Sequence, residues 1–335
     1  MNYSADTPPE STIAHRQIGV NTVLDNVAFI LQGIVQVGGN WIILAAIFVT
    51  KALQRREYIY VGALAVGDSI CGVAQFLNGN MRLIFNIIGI SMNYIPAKQC
   101  LLRPQIHLYI LSAFVTPNIL LSISVDRLVA CASIKMYSRL TATFNVILTA
   151  AAFVIGTLLY SACLVYMIIL PYDNPYAHQD CTMGVSTPPI IGFFFWTYPM
   201  IFGLLSIIIY AIALLALKRK IGAKNLSESM RKNQAREMKV TKTLAWVSLW
   251  TLLLFVIPLF IIIVAFVYQI KPIMKHSQIL WITLNMNSAN NIFIYLAKNS
   301  TLRNAALGVL KIRRTQVTSQ STASSSQRQQ QRLKK

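Results

Sequence analysis

FNVILTAAAFVIGTLLYSACLVYMIIL, residues 144–170, contains no Asp, Glu, Lys or Arg. A helix needs roughly 20 apolar residues to cross ~30 Å of hydrocarbon, and this run exceeds that. Six further stretches read the same way, at about 23–49, 59–81, 104–131, 190–217, 243–268 and 278–297. The fifth and seventh carry no charged residue, and the sixth has none after Lys242. The first three hold only Asp25, Asp68 and the adjacent pair Asp126 and Arg127. Open sheet edges cannot sit in lipid and none of these runs alternates like a barrel strand, so all seven are read as helices. The third is the least regular, with Pro104 and Pro117 inside it. The composition agrees. Of 335 residues 55% are hydrophobic and 12% charged, against about 25% charged in a soluble domain, and the mean hydropathy is +0.55.

A net charge of +20 raises the question of nucleic acid. The placement of the charge answers it. Of the 30 Lys and Arg, 24 fall on one set of connections: Lys51 to Arg56, Arg127 to Arg139, Lys218 to Lys242, and the tail from Lys298. The opposite set holds Arg16, Arg82, Lys98, Arg103, Lys271 and Lys275. Basic loops stay in the cytoplasm, so the N-terminus is expected outside, the C-terminus inside, and the partner of the surface is the bilayer. The chain then divides into an extracellular segment 1–22, a helical bundle 23–297, a polar stretch 298–312 and a tail 313–335. The tail is rich in Ser, Thr and Gln, lacks apolar periodicity and reads as disordered. No signal peptide precedes the first helix, and no internal repeat is visible.

A carboxylate in the hydrocarbon core costs a few kcal/mol, so one that persists is a functional candidate. Asp68 sits about ten residues into the second helix. It is either hydrogen-bonded packing or a cation or proton site. Asp126 and Arg127 lie at the cytoplasmic end of the third helix, where the pair is either an interface anchor or a switch. Of five cysteines, Cys100 and Cys181 fall in outer connections, an oxidising side where a disulfide is expected to pin the loop. Cys71, Cys131 and Cys163 read as small core hydrophobes. No cysteine or histidine cluster has the spacing of a metal site, so none is expected.

Taken in order along the chain, several motifs resemble the rhodopsin-class (class A) G-protein-coupled receptors over residues about 23–310. They are Gly39-Asn40, LAVGD (64–68), LLSISVDRL (120–128), NIFIY (291–295), Pro258 and the polar run KNSTLRNAAL (298–307). The departures are Leu128 where an aromatic is commoner, Ile292 for a proline, Val256 for an aromatic toggle, and a fourth helix without tryptophan. Cys100 also lies 27 residues before Arg127, two more than usual, which predicts a bulge near Pro104 or Pro117. This loosened pattern is similar to the nematode serpentine chemosensory receptors, the SX-like group above all. The fold implied is an all-α, integral membrane bundle of seven transmembrane helices with a short amphipathic eighth.

The resemblance also implies a function: a receptor in the plasma membrane, not an enzyme, that converts binding of a small extracellular ligand into nucleotide exchange on a heterotrimeric G protein. Asn285 occupies the retinal lysine position and Tyr109 the amine-binding aspartate position, so neither retinal nor a biogenic amine is expected. His107, Tyr109, Phe195, Trp196 and Tyr198 are the candidates to line the ligand pocket. Arg127 is expected to pair with Asp126 and Glu237 at rest, with Tyr210 and Tyr295 stabilising the active state. Asp68, Thr116, Asn287, Ser288 and Asn291, with Asn40, match the positions of a sodium-and-water pocket, so an allosteric Na+ is the one ion implied and no cofactor. The tail hydroxyls Thr318, Ser321 and Ser324 to Ser326 would serve a receptor kinase and arrestin. Two rival functions stand against this one. An intramembrane hydrolase needs paired acids or buried histidines, which are missing; a transporter would use Asp68 as a coupling carboxylate.

Overall fold

The computed structural model describes residues 20–310 except 92, 133–136, 138–139, 170–175, 182–186, 222–240, 242–244 and 276. The elements are α1 (Val20–Val49), α2 (Arg56–Ile87), α3 (Pro104–Ala132), α4 (Ala142–Ile169), α5 (Pro189–Ile221), α6 (Ala245–Val267), α7 (Ser277–Lys298) and α8 (Ser300–Val309). A two-stranded ladder, β1 (Tyr94–Pro96) on β2 (Tyr176–His178), joins the α2–α3 and α4–α5 connections.

Helices α1 to α6 are long and apolar enough to cross a membrane. At ~1.5 Å per residue, the 22 residues of α7 span the same thickness. They fall short on apolarity because Asn285, Asn287, Ser288, Asn290 and Asn291 share the helix, and three of these are buried against the bundle rather than offered to lipid. The outer faces are apolar, as in Trp41, Phe48, Leu158 and Ile201, all exposed. A surface of that kind has lipid as its solvent.

Helix α3 is central, packed on α2, α4 and α5, while α7 closes the ring against α1 and α6. The α1–α2 contact is close because Gly33 and Gly72 face one another. A Cβ at Gly33 would lie 2.7 Å from the Gly72 carbonyl oxygen, so only glycine lets these backbones meet. Two buried apolar clusters fill the bundle. One, around Phe114, Met167, Trp196 and Ile262, lies toward the disulfide end; the other, around Leu64, Ile119, Tyr210 and Tyr295, lies toward Arg127.

The prolines act differently from the sequence expectation. Pro104 starts α3, where its missing N–H costs nothing, and Pro117 lies within a continuous helix. Between Cys100 and Pro104 residues 101–103 are non-helical, and from Pro104 the helix runs on past Arg127. In α6 the turn Leu252–Val256 widens to a π-helix just ahead of Pro258. Proline lacks an N–H and clashes with the preceding turn, and the wider turn relieves that clash. After α7, the Asn299 side chain caps α8 by accepting from the Leu302 N–H at 3.1 Å. Helix α8 is amphipathic: Leu302 and Ala306 are buried beneath the bundle and Arg303 is exposed.

Candidate functional site

Three features stand out along the bundle axis: a latch at one end, a cavity at the other, and a polar core between them. The latch is built on α3. Arg127 is 1% exposed and Asp126 is fully buried. Arg127 Nε and Nη2 donate to Asp126 Oδ2 at 3.0 and 2.5 Å, and Nη2 also donates to the Tyr137 hydroxyl at 2.6 Å. That hydroxyl donates in turn to Asp126 Oδ2 at 3.3 Å, and Asn145 Nδ2 of α4 reaches Oδ1 at 3.2 Å. A buried ion pair is tolerated when further hydrogen bonds reach its lone pairs and protons, and Tyr137 and Asn145 supply such bonds. Tyr137 is itself held from behind. The Arg56 guanidinium lies 3.7 Å from its ring centroid and donates to the carbonyls of Tyr137 and Leu140.

Tyr137, Asn145 and Arg56 were not among the sequence-derived candidates. The available signal was a hydroxyl-bearing aromatic between Lys135 and Arg139, in a loop next to a buried carboxylate. Glu237 lies outside the described residues. Tyr210 does not bond Arg127 here: its hydroxyl donates to the carbonyl of Thr241, tying α5 to the chain ahead of α6. Tyr295 is buried, and its hydroxyl has no partner among the described residues.

In the polar core, Asp68 is 1% exposed. Its Oδ2 accepts from Asn291 Nδ2 at 3.1 Å, and Ser288 lies alongside. Asp68 Oδ1, Thr116 Oγ1, Asn287 Oδ1 and Asn291 Oδ1 are buried without hydrogen-bond partners among the described residues. Thr116, Asn287 and Ser288 line a cavity of about 100 Å³. Unmet oxygens around one carboxylate suit a small hard cation with water, since such cations take oxygen ligands. Asn40 is buried one helix away and donates to its own Gln36 carbonyl at 2.8 Å. Beside it, Gln36 Oε1 accepts from Gln75 Nε2 at 3.1 Å, which places a second buried polar pair between α1 and α2.

At the disulfide end lies a cavity of about 370 Å³. Cys100 and Cys181 are bonded, as expected, with Cα atoms 5.6 Å apart, and Cys181 forms part of the cavity wall. Tyr109, Phe195 and Trp196 line the cavity; His107 and Tyr198 do not. The His107 ring is already satisfied, with Nε2–H to the Leu101 carbonyl at 2.5 Å and Nδ1 accepting from the Tyr160 hydroxyl at 3.1 Å. It clamps α3 to α4. Tyr198 donates to Asn118 Oδ1 at 2.7 Å and stacks on Phe202, within the α3–α5 seam. The sequence reading missed Arg82, Phe266 and Trp281, which complete the wall. Tyr109, Phe195, Trp196, Trp281 and Asn285 also line the inner cavity, so the two share one aromatic partition.

Above the cavity, Arg82 and Asp180 form an ion pair at 3.5 Å. Arg103, outside the spans, has its guanidinium 4.8 Å from the Phe85 centroid. Burial pushes the Arg103 pKa below its usual range, and the nearby Asp180 carboxylate opposes that shift. The arrangement is thus a partly buried aromatic cavity under a charged lid, with a polar core between it and the buried Asp126–Arg127 pair. The family model described as "Serpentine type 7TM GPCR chemoreceptor Srsx" matches residues 33–310, about four-fifths of the chain.

Proposed function

This chain belongs to the Srsx serpentine seven-transmembrane chemoreceptor family of G-protein-coupled receptors, and from that premise we propose that it transmits ligand binding to nucleotide exchange on a heterotrimeric G protein. The observation that carries the reading is the latch: an arginine buried at one end of the bundle, held by Asp126 and Tyr137, opposite an aromatic cavity. A guanidinium 1% exposed and held by a carboxylate and a hydroxyl is costly to build for stability alone. It makes sense as a group to be released.

The charge asymmetry of the connections supports an orientation with the disulfide end outside and the latch in the cytoplasm. Ligand would enter the cavity beside Phe195, Trp196 and Trp281. It can shift the bundle only by binding the active arrangement more tightly than the resting one. The wide turn at Leu252–Val256 and Pro258 supply the hinge of α6, against which the aromatic partition packs. Outward movement of α6 would strip Tyr210 from the Thr241 carbonyl, free it and Tyr295 to stabilise the open state, and expose Arg127 to the G protein. Asp68, with Thr116, Asn287, Ser288 and Asn291, would hold a sodium ion with water in the resting state, and closure around the ion would favour the latch. Thr318, Ser321 and Ser324 to Ser326, for a receptor kinase and arrestin, lie outside the described residues.

The test is nucleotide exchange in membranes expressing the chain, with Arg127→Ala beside the wild type at matched surface expression. Ligand-stimulated exchange by the wild type, lost in the variant, supports both the receptor and its switch. Equal stimulated exchange from both would remove Arg127 from the mechanism. Ligand-independent substrate accumulation in vesicles would displace the receptor reading altogether.

A further inference from the structure

The outer cavity is walled by Tyr109, Phe195, Trp196, Ile262, Phe266 and Trp281, yet among the described residues one formal charge faces into it, that of Arg82. No acidic residue lines the wall among the described residues. The Arg82 side chain is 11% exposed, and its Nε is buried with no hydrogen-bond partner among the described residues. Its carboxylate neighbour among the described residues, Asp180, stands at 3.5 Å, longer than a good charge-assisted hydrogen bond. Asp180 also faces Arg103, whose Nη1 is likewise buried and unpartnered. Among the described residues the lid therefore holds two guanidinium groups, Arg82 and Arg103, for one carboxylate, Asp180. An apolar cavity whose nearly buried cation holds one long ion pair and an Nε without a partner among the described residues is incompletely satisfied, because a donor left without a partner costs more than one that is paired.

Resting on the reading of this cavity as the ligand site, we propose that it takes a small amphipathic carboxylate, with the acid group on Arg82 and the apolar body against Trp196, Phe266 and Trp281. Guanidinium and carboxylate match in a planar, two-bond geometry that a neutral ligand cannot reproduce. An ammonium ligand would meet Arg82 as the one formal charge that the described residues bring to the cavity wall. The volume, about 370 Å³, lies near the lower end of the roughly 300–1,000 Å³ of small-molecule sites, so the body is compact. The shared partition gives a linear tail a way inward, toward Phe255 and Leu259 on α6. A carboxylate with such a tail spans from the lid to the helix that is proposed to move.

The test is direct binding and needs no G protein. The purified chain in phosphatidylcholine nanodiscs is titrated with straight-chain carboxylates from hexanoate to dodecanoate and with indole-3-propionate. Their methyl esters and the matching primary amines are run in parallel, read by thermal unfolding and by tryptophan fluorescence, since Trp196 and Trp281 line the site. At least one acid should bind about ten- to hundredfold more tightly than its ester, the worth of one charge-assisted hydrogen bond. Arg82→Gln should erase that preference while leaving ester affinity in place. Arg82→Lys should keep part of it. Asp180→Asn, which removes the competitor for Arg82, should tighten acid binding; that variant tests the idea even if Arg82→Gln fails to fold. Esters or amines binding as well as acids, a preference that survives Arg82→Gln, or no binding by any member of the series would overturn the proposal. Acid-selective binding without nucleotide exchange would sink the signalling reading and leave this one standing; exchange driven by neutral compounds alone would do the reverse.

Discussion

Arg127 Nη2 donates to the Tyr137 hydroxyl at 2.6 Å, so a residue of the α3–α4 connection closes over the buried arginine of α3. The same hydroxyl is within 3.3 Å of Asp126, the partner of that arginine. One side chain thus bridges both halves of the ion pair, and its ring lies under the Arg56 guanidinium. Anything that moves the connection therefore bears on the latch.

Tyr137→Phe removes the hydroxyl and keeps the ring. One hydrogen bond to a charged group contributes about 1.5–3 kcal/mol, so the resting state should weaken and basal nucleotide exchange rise about tenfold or more. Asn145→Ala, which loses one bond to Asp126, should produce a smaller rise. Basal exchange in membranes, normalised to surface receptor, is the measurement. An unchanged basal rate in both variants would mean that these side chains only shape the connection.

Asp68→Asn should abolish any dependence of stability on sodium. In wild-type protein the unfolding temperature is expected to rise when choline chloride is replaced by sodium chloride at equal ionic strength, because an ion that binds only the folded state stabilises it. The variant should give one temperature in both salts. Without sodium it should unfold no earlier than wild type, since a buried carboxylate has been replaced by a neutral amide of the same shape. A sodium response that persists in Asp68→Asn would place the ion elsewhere.

The Cys100–Cys181 bond closes a loop of 81 residues. Removing it with the double substitution Cys100→Ser and Cys181→Ser should destabilise the fold by about 2–4 kcal/mol, and free the segment that carries Asp180. The expected readout is a lower unfolding temperature together with weaker discrimination between acid and ester ligands. Unchanged stability would show that β1 and β2 hold the segment alone.

His107 and Trp281 should separate in their effects. His107→Phe breaks the bonds to Leu101 and Tyr160, and should lower the unfolding temperature with little change in ligand preference. Trp281→Ala opens the cavity wall, and should reduce affinity for acids and esters alike by about tenfold or more. Thermal unfolding and ligand titration on the same preparations distinguish them, and a reversal of the two patterns would redraw the site.

The spans of α1 to α6 were legible because lipid acts as a solvent on each segment separately, and apolar length is a local property of the chain. Helix α7 was legible by a different sign, the absence of charge from residues 278–297, since its asparagines hide its apolarity. The Cys100–Cys181 bond could be expected from two cysteines on one side of the membrane. Asp68, Asp126 and Arg127 announced themselves because ionisable groups are rare in such segments.

Tyr137, Arg82 and Trp281 could not be singled out in the same way, for each is an ordinary residue of its own segment. Tyr137 becomes part of the latch only because α2, α3 and α4 bring Arg56, Arg127 and Asn145 around it. His107 and Tyr198, which looked like pocket residues, are turned instead toward partners on neighbouring helices. The sequence by itself determined how many times the chain crosses, which residues are ionisable at depth and which cysteines can meet, because each depends on composition along one segment. Only the tertiary structure decided which face of each helix looks inward, because that rotation is set by side chains packing between helices far apart in the chain.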